Sequence, residues 1–180
     1  ETETFFVMVM PSGQFNAPTT FYEQISRRVT EDYFRHSGSV TSALRTVFNN
    51  LNHNLVEHNR QGGRTYEANM LCAVLRGDDL IVARVGCGVT ILREMGKTST
   101  FPEDLQDDEA LFKPPMGVHP IPDVRLTQYK VANGSRLILG DATLAEFELE
   151  QVTNALMRAD MSEVLAGLRL LAIEQVTLMA

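Results

Sequence analysis

Cysteine is scarce in this chain, with only Cys72 and Cys87 among 180 residues. Two thiols do not make a disulfide framework, and there is no CxxC and no Cys/His pair at zinc spacing. Both cysteines lie inside apolar stretches, where a free cysteine acts as a small buried hydrophobe. Basic residues are also in deficit: 16 Lys and Arg face 23 Asp and Glu, for a net charge of −7 and a pI near 5.1. That balance lacks the basic footprint that nucleic-acid binding requires. No apolar run is long enough to span a bilayer, and no basic segment precedes an apolar one at the start. These two absences predict a cytoplasmic protein with no membrane insertion. A glycine-rich phosphate loop, a nucleophile elbow and a histidine–glutamate zinc motif are all missing. The four histidines, His36, His53, His58 and His119, are scattered. His53 and His58 are five apart on a predicted helix and do not share a face.

What remains is an ordinary globular composition, 44% apolar and 22% charged. The length favours one domain over residues 1–180, large enough to bury its own core. The chain opens at Glu1 without a methionine, which fits a domain excised from a longer protein or a trimmed product. Residues 5–10 form a short apolar run that suits a buried strand. Thr20-Phe-Tyr-Glu23 reads as a capping box opening a helix, and Phe21, Ile25, Val29 and Tyr33 line one face of it. A second helix starts near Ser39, with Val40, Leu44, Val47, Phe48, Leu51 and Leu55 as its stripe. Residues 66–75, 79–85 and 89–95 read as an antiparallel meander. Residues 96–122 read as an acidic, proline-containing loop. Strands at 124–131 and 135–140 flank Asn133-Gly134, the favoured hairpin pair. Helices over 144–158 and 161–171, each opened by a capping-box pattern, precede a closing strand near 175–180. Strand, two helices, five strands, two helices, strand is an α+β order. It fits a four-layer αββα sandwich, two antiparallel sheets each flanked by a helix pair.

Four strings at strand ends carry a resemblance. They are Phe6-Val-Met-Val-Met-Pro-Ser-Gly13, Val82-Ala-Arg-Val-Gly-Cys-Gly-Val-Thr-Ile-Leu92, Gly134-Ser-Arg-Leu-Ile-Leu-Gly-Asp-Ala-Thr-Leu-Ala-Glu-Phe147 and Glu174-Gln-Val-Thr-Leu178. In this order they resemble the strings of the metal-dependent (PPM, type 2C) protein serine/threonine phosphatases. The resemblance spans residues 5–180 and implies the family's β-sandwich with outer helix pairs. It also implies a chemistry: two Mn²⁺ or Mg²⁺ ions held by aspartates at strand ends, generating a hydroxide that attacks a phosphoester.

The departures bear directly on that chemistry. Hard cations need several carboxylates, as ligands and as charge balance. The strand carrying the family's first aspartate and its phosphate-binding arginine has no counterpart. The next aspartate falls on Met10, a soft thioether, and its glycine on Pro11. The aspartate of "S-D-G" falls on Ala142, with Asp141 one residue before it, and a one-residue slip on a strand reverses the side chain. The "G-D-S" turn becomes Gly86-Cys87-Gly88, and "D-N" becomes Glu174-Gln175. Arg64 or Arg84 could contact a ligand, although exposed or snorkelling arginines are the ordinary outcome. The resemblance therefore implies a pseudophosphatase with no catalytic residue and no metal or other cofactor. Such a chain would serve as a protein-binding, scaffolding or regulatory module, with a protein partner or self-association through an exposed sheet edge. The alternative is an active phosphatase whose Mn or Mg site is rebuilt from Asp141, Glu174 and Asp123.

Overall fold

The computed structural model describes residues 2–171 and 178–179. Two antiparallel four-stranded sheets and five helices form among them, an α+β architecture. The chain divides into two compact units, Glu1–Cys87 with Phe112–Lys130, and Gly88–Leu111 with Val131–Ala180.

In the first unit, strands β1 (Glu3–Ser12), β2 (Glu67–Arg76), β3 (Asp79–Val85) and β6 (Arg125–Lys130) form a sheet in the order β1-β2-β3-β6. Helices α1 (Thr19–Arg35) and α2 (Val40–Arg60) supply the other half of its core. The stripes read from sequence are the buried faces: Ile25, Val29 and Tyr33 on α1, and Val40, Leu44, Val47, Phe48, Leu51 and Leu55 on α2. They meet Ala68, Met70, Cys72 and Val74 of β2 and Ala83 and Val85 of β3. On α1 the fourth fully buried position is Tyr22, and Phe21 is only partly buried against the same core. The Ser39 hydroxyl caps α2 by accepting from the Ser42 N–H at 3.2 Å. Helix α1 has no such cap, because it begins one residue before Thr20, with Pro18 at the cap position. The capping box read at Thr20 is therefore corrected.

A long connection in this unit is fastened by two asparagines of α2. Asn52 is 1% exposed; it accepts from the Gly117 N–H at 3.0 Å and donates to the carbonyls of His119 and Pro120 at 2.8 and 3.2 Å. Asn59 does the same for Tyr66 and Gly117. Gly117 sits at φ 93°, and a Cβ there would lie 2.6 Å from the Tyr66 carbonyl oxygen, so the close approach needs glycine.

In the second unit, β4 (Val89–Glu94), β5 (Lys97–Phe101), β7 (Arg136–Gly140) and β8 (Leu178–Met179) form a sheet in the order β5-β4-β7-β8. The short helix α3 (Asp108–Leu111) and the pair α4 (Leu149–Leu156) and α5 (Met161–Leu171) complete it. Val89, Ile91 and Ile138 pack with Leu144, Val152, Leu156, Val164 and Leu168. The guanidinium of Arg136 donates to the carbonyls of Leu156, Arg158 and Ala159, which satisfies the open C-terminal end of α4.

Four sequence expectations are corrected here. The strands at 66–95 are not one meander, because β4 pairs with β5 and β7 while β2 and β3 belong to the other sheet. Asn133-Gly134 makes a turn, with the Ser135 N–H bonded to the Ala132 carbonyl at 3.0 Å, but β6 and β7 lie in different sheets and form no hairpin. Within the acidic loop, residues 97–101 form β5 and residues 108–111 form α3. The helix expected over 144–158 is two pieces, a 3-10 turn over Ala142–Glu146 and α4. Of the closing strand, Leu178–Met179 is observed, while residues 175–177 and 180 lie outside the described residues.

Candidate functional site

Met10 lies two residues before the end of β1, is 4% exposed and stands directly across from Asn69 of β2. Asn69 Oδ1 accepts the Cys87 N–H at 3.2 Å. That bond holds the turn that follows β3. Gly86 adopts φ 82°, and a Cβ there would come within 1.9 Å of Asn69 Oδ1. Only glycine fits this turn, both for its backbone and for its space. The Cys87 side chain, half-buried, donates its thiol to the Lys113 carbonyl at 3.6 Å. Burial raises its pKa, offset in part by the Arg84 guanidinium, so Cys87 is held as a thiol.

Arg84 itself is 1% exposed, neither exposed nor snorkelling as sequence reasoning expects. It sits in β3 opposite Arg125 of β6. Strand alternation puts it on the face of Leu80 and Val82, away from the helices that cover Ala83 and Val85. Burial is the main cause that lowers its pKa, and the positive charge of Arg125 acts in the same direction. Arg64 is exposed.

Asp123 lies just before β6. Both of its carboxylate oxygens are engaged by Arg125, at 2.7 Å from Nε and 2.9 Å from Nη2. This fork is the leading cause of its lowered pKa, reinforced by Lys113 and Arg84. In the second unit β7 ends at Gly140, which leaves Asp141 as the first residue past the strand and Ala142 as the first of the 3-10 turn. Alternation places Asp141 on the face of Leu137 and Leu139, opposite Ile138. Its carboxylate accepts the Thr143 N–H at 2.9 Å and so caps the turn. Glu174, the remaining candidate ligand, lies outside the described residues.

Met10 offers a thioether, one aspartate is closed in an arginine fork, and another is spent on a turn. Among the described residues, no group of three or more His, Cys, Asp or Glu could hold a metal ion. Neither is there a helix long and apolar enough to cross a membrane among them.

The two sheets with their helix pairs define the fold of the type 2C serine/threonine phosphatases. The chain covers 98% of its length on the serine/threonine phosphatase Stp1 from Staphylococcus aureus and 82% of that chain, at a TM-score of 0.74 and 14% identity. PppA, a key regulatory component of T6SS in Pseudomonas aeruginosa, matches at a TM-score of 0.70 and 17% identity, covering 97% of this chain and 84% of that one. The catalytic domain of the serine/threonine phosphatase PstP, solved with two manganese ions, matches at a TM-score of 0.66 and 15% identity, over 98% and 97%. No family model matches the sequence, and no curated protein does. The likeness is therefore one of fold, with sequence identity too low to carry function.

Proposed function

We propose that this chain is a catalytically inactive type 2C phosphatase-like domain, a pseudophosphatase that works as a protein-binding, scaffolding or regulatory module. The observation that carries this reading is the chemistry of the strand ends. Met10 stands where the resemblance calls for a hard oxygen donor, and Asp123 is closed in the Arg125 fork. A thioether is a poor ligand for Mn²⁺ or Mg²⁺. That a solved structure of this fold is described as a regulatory component agrees with a regulatory use of the scaffold.

The surface we assign to a protein partner, or to a second copy, is the edge of β1. Among the described residues this ten-residue strand pairs on one side only, with β2, and it carries a single charge, Glu3, which is tied to Arg76. An edge with so little charge is open to strand addition.

A second reading, a metal-dependent phosphatase with a non-standard site, draws on one observation. Asp141 stands directly at the end of β7, on the same strand face as Leu139. Calorimetric titration with Mn²⁺ and Mg²⁺, with turnover of an aryl phosphate assayed in the same samples, separates the two. The pseudophosphatase reading expects no binding heat and no turnover. Tight binding with turnover that is abolished by Glu174→Ala would overturn it.

A further inference from the structure

We infer that the edge of β1, together with the flank of α1 beside it, is a slot for an extended, uncharged segment of a partner protein that carries large apolar side chains at alternate positions. This rests on the reading of the chain as a protein-binding module and names the partner's chemistry. The slot has a main-chain wall and a side-chain wall. Thr4–Met10 is a run without charge between Glu3, which is tied to Arg76 and Tyr33, and Pro11, whose missing N–H ends the row of donors. Phe5, Val7 and Val9 are only partly buried against the helical core. On α1, Ile25 and Arg28 line the groove shared with Leu51 and Leu55 of α2. Ser26, Thr30 and Phe34, at four-residue spacing, follow the other flank. Phe34 is 56% exposed, yet its ring stands edge-on to Phe5 at 6.1 Å and to Tyr33 at 5.2 Å, so it is an aromatic surface already fixed beside the β1 edge. The hydroxyls of Ser26 and Thr30 donate back to the carbonyls of Tyr22 and Ser26, at 3.0 and 2.9 Å, and ask nothing of a ligand. Glu23 and Arg27, one of each sign, add no net charge to that flank.

Geometry and charge together select the occupant. A strand added to β1 alternates its side chains between the two faces of the sheet, so every second one faces the α1 flank. A second copy cannot supply that strand from its own β1. Helix α1 packs on β1, while α2 packs on β2 and β3. In an antiparallel two-fold pair of β1 strands, both copies of α1 lie on the same face of the joined sheet. Neighbouring strands are about 4.8 Å apart, whereas packed helices need about 8–10 Å. An extended segment with no helix above it meets no such conflict. The uncharged stretch of β1 offers a bound carboxylate or ammonium no counter-charge, which favours an uncharged segment.

The test titrates the intact protein, by isothermal calorimetry, with a blocked peptide of alternating valine and threonine matched in length to Thr4–Met10. Two further peptides carry N-methyl groups on one or the other set of alternate amides. The plain peptide is expected to bind. One N-methylated set should abolish binding and the other leave it intact, because only alternate amides of an added strand bond to the edge. Phe34→Ala should weaken binding by about tenfold, as the loss of an aromatic anchor. Ile121→Ala, at an apolar residue 82% exposed and outside the slot, should leave it unchanged. Sedimentation of the free protein at the same concentrations detects a second copy. Self-association that is lost in Phe34→Ala would overturn the inference and leave the β1 edge standing as the docking surface. A monomeric protein that binds no peptide, or binding indifferent to both N-methylation and Phe34→Ala, would also overturn it. The Mn²⁺ and Mg²⁺ titration decides the pseudophosphatase reading separately, so the two can fail independently.

Discussion

Single residues decide most of what is chemically distinctive here, and a few can be tested directly. Gly86 combines φ 82° with an Asn69 oxygen where a Cβ would stand, so Gly86→Ala should cost about 2–4 kcal/mol in urea unfolding. Asn52→Ala should cost about 2–3 kcal/mol, because it removes the three hydrogen bonds by which a buried side chain fastens Gly117, His119 and Pro120 to α2. Tyr33 gives a pH signature. It is 3% exposed and donates to Glu3 Oε1 at 2.8 Å, and burial, then that bond, raises its pKa above the ordinary value for tyrosine. A raised pKa in the folded state means that stability is complete below the unfolded value, near 10, and declines as pH climbs toward the folded one. Tyr33→Phe should therefore be mildly destabilised at neutral pH yet lose less stability than wild type above about pH 10. Unfolding curves that stay parallel across that range would contradict the assignment. At this scale the sequence is only half legible. The strings place Met10 and Asp141 at strand ends; Asp141 is the first residue past β7, whereas Met10 lies inside β1, which runs on to Ser12. The burial of Arg84 was unreadable, because it depends on which strand lies opposite.

Elements were legible wherever a period repeats. The α2 stripe recurs along a 21-residue helix and every position of it is buried, with Ala43, Asn52 and Val56 buried beside it. β2 and β3 are apolar enough to be read as buried strands. β5, Lys97-Thr-Ser-Thr-Phe101, carries no apolar alternation and was invisible as a strand, since it exists only through pairing with β4. The Asn133-Gly134 signal is genuine as a turn and misleading as a hairpin, because turn chemistry is local and strand partnership is not. Caps show the same limit. Ser39 and Asp160 accept from Ser42 and Glu163 backbone N–H groups, at 3.2 and 2.9 Å. Ser39→Ala and Asp160→Ala should each lower stability by about 1 kcal/mol, measured by thermal unfolding. Thr20→Ala, at a position that resembles a cap in sequence but caps nothing, should leave it unchanged within about 0.5 kcal/mol.

For the molecule as a whole, the order of elements pointed to the fold class, whereas the assignment of strands to sheets did not follow from any local signal. β3 and β4 are separated by three residues and belong to different sheets; β6 and β7 are likewise divided. What a scaffold of this class does then rests on whether its strand ends still need cations. Met10 gives the sharpest test, because its 4% exposure means that a carboxylate placed there is desolvated. If the chain has given up metal, Met10→Asp should lower stability by about 3–5 kcal/mol, the scale for an uncompensated buried charge. Added Mn²⁺ should not restore it, since Asp123, the candidate donor of the same unit, remains in the Arg125 fork. Thermal unfolding of wild type and Met10→Asp, each with and without Mn²⁺, reads both statements at once. Recovery of the variant by Mn²⁺ would mean that the remaining donors can still assemble around a cation, and that one substitution separates this fold from a working metal centre. An unrecovered variant beside a wild type indifferent to Mn²⁺ would mean that the loss extends through the donor set and is not confined to Met10.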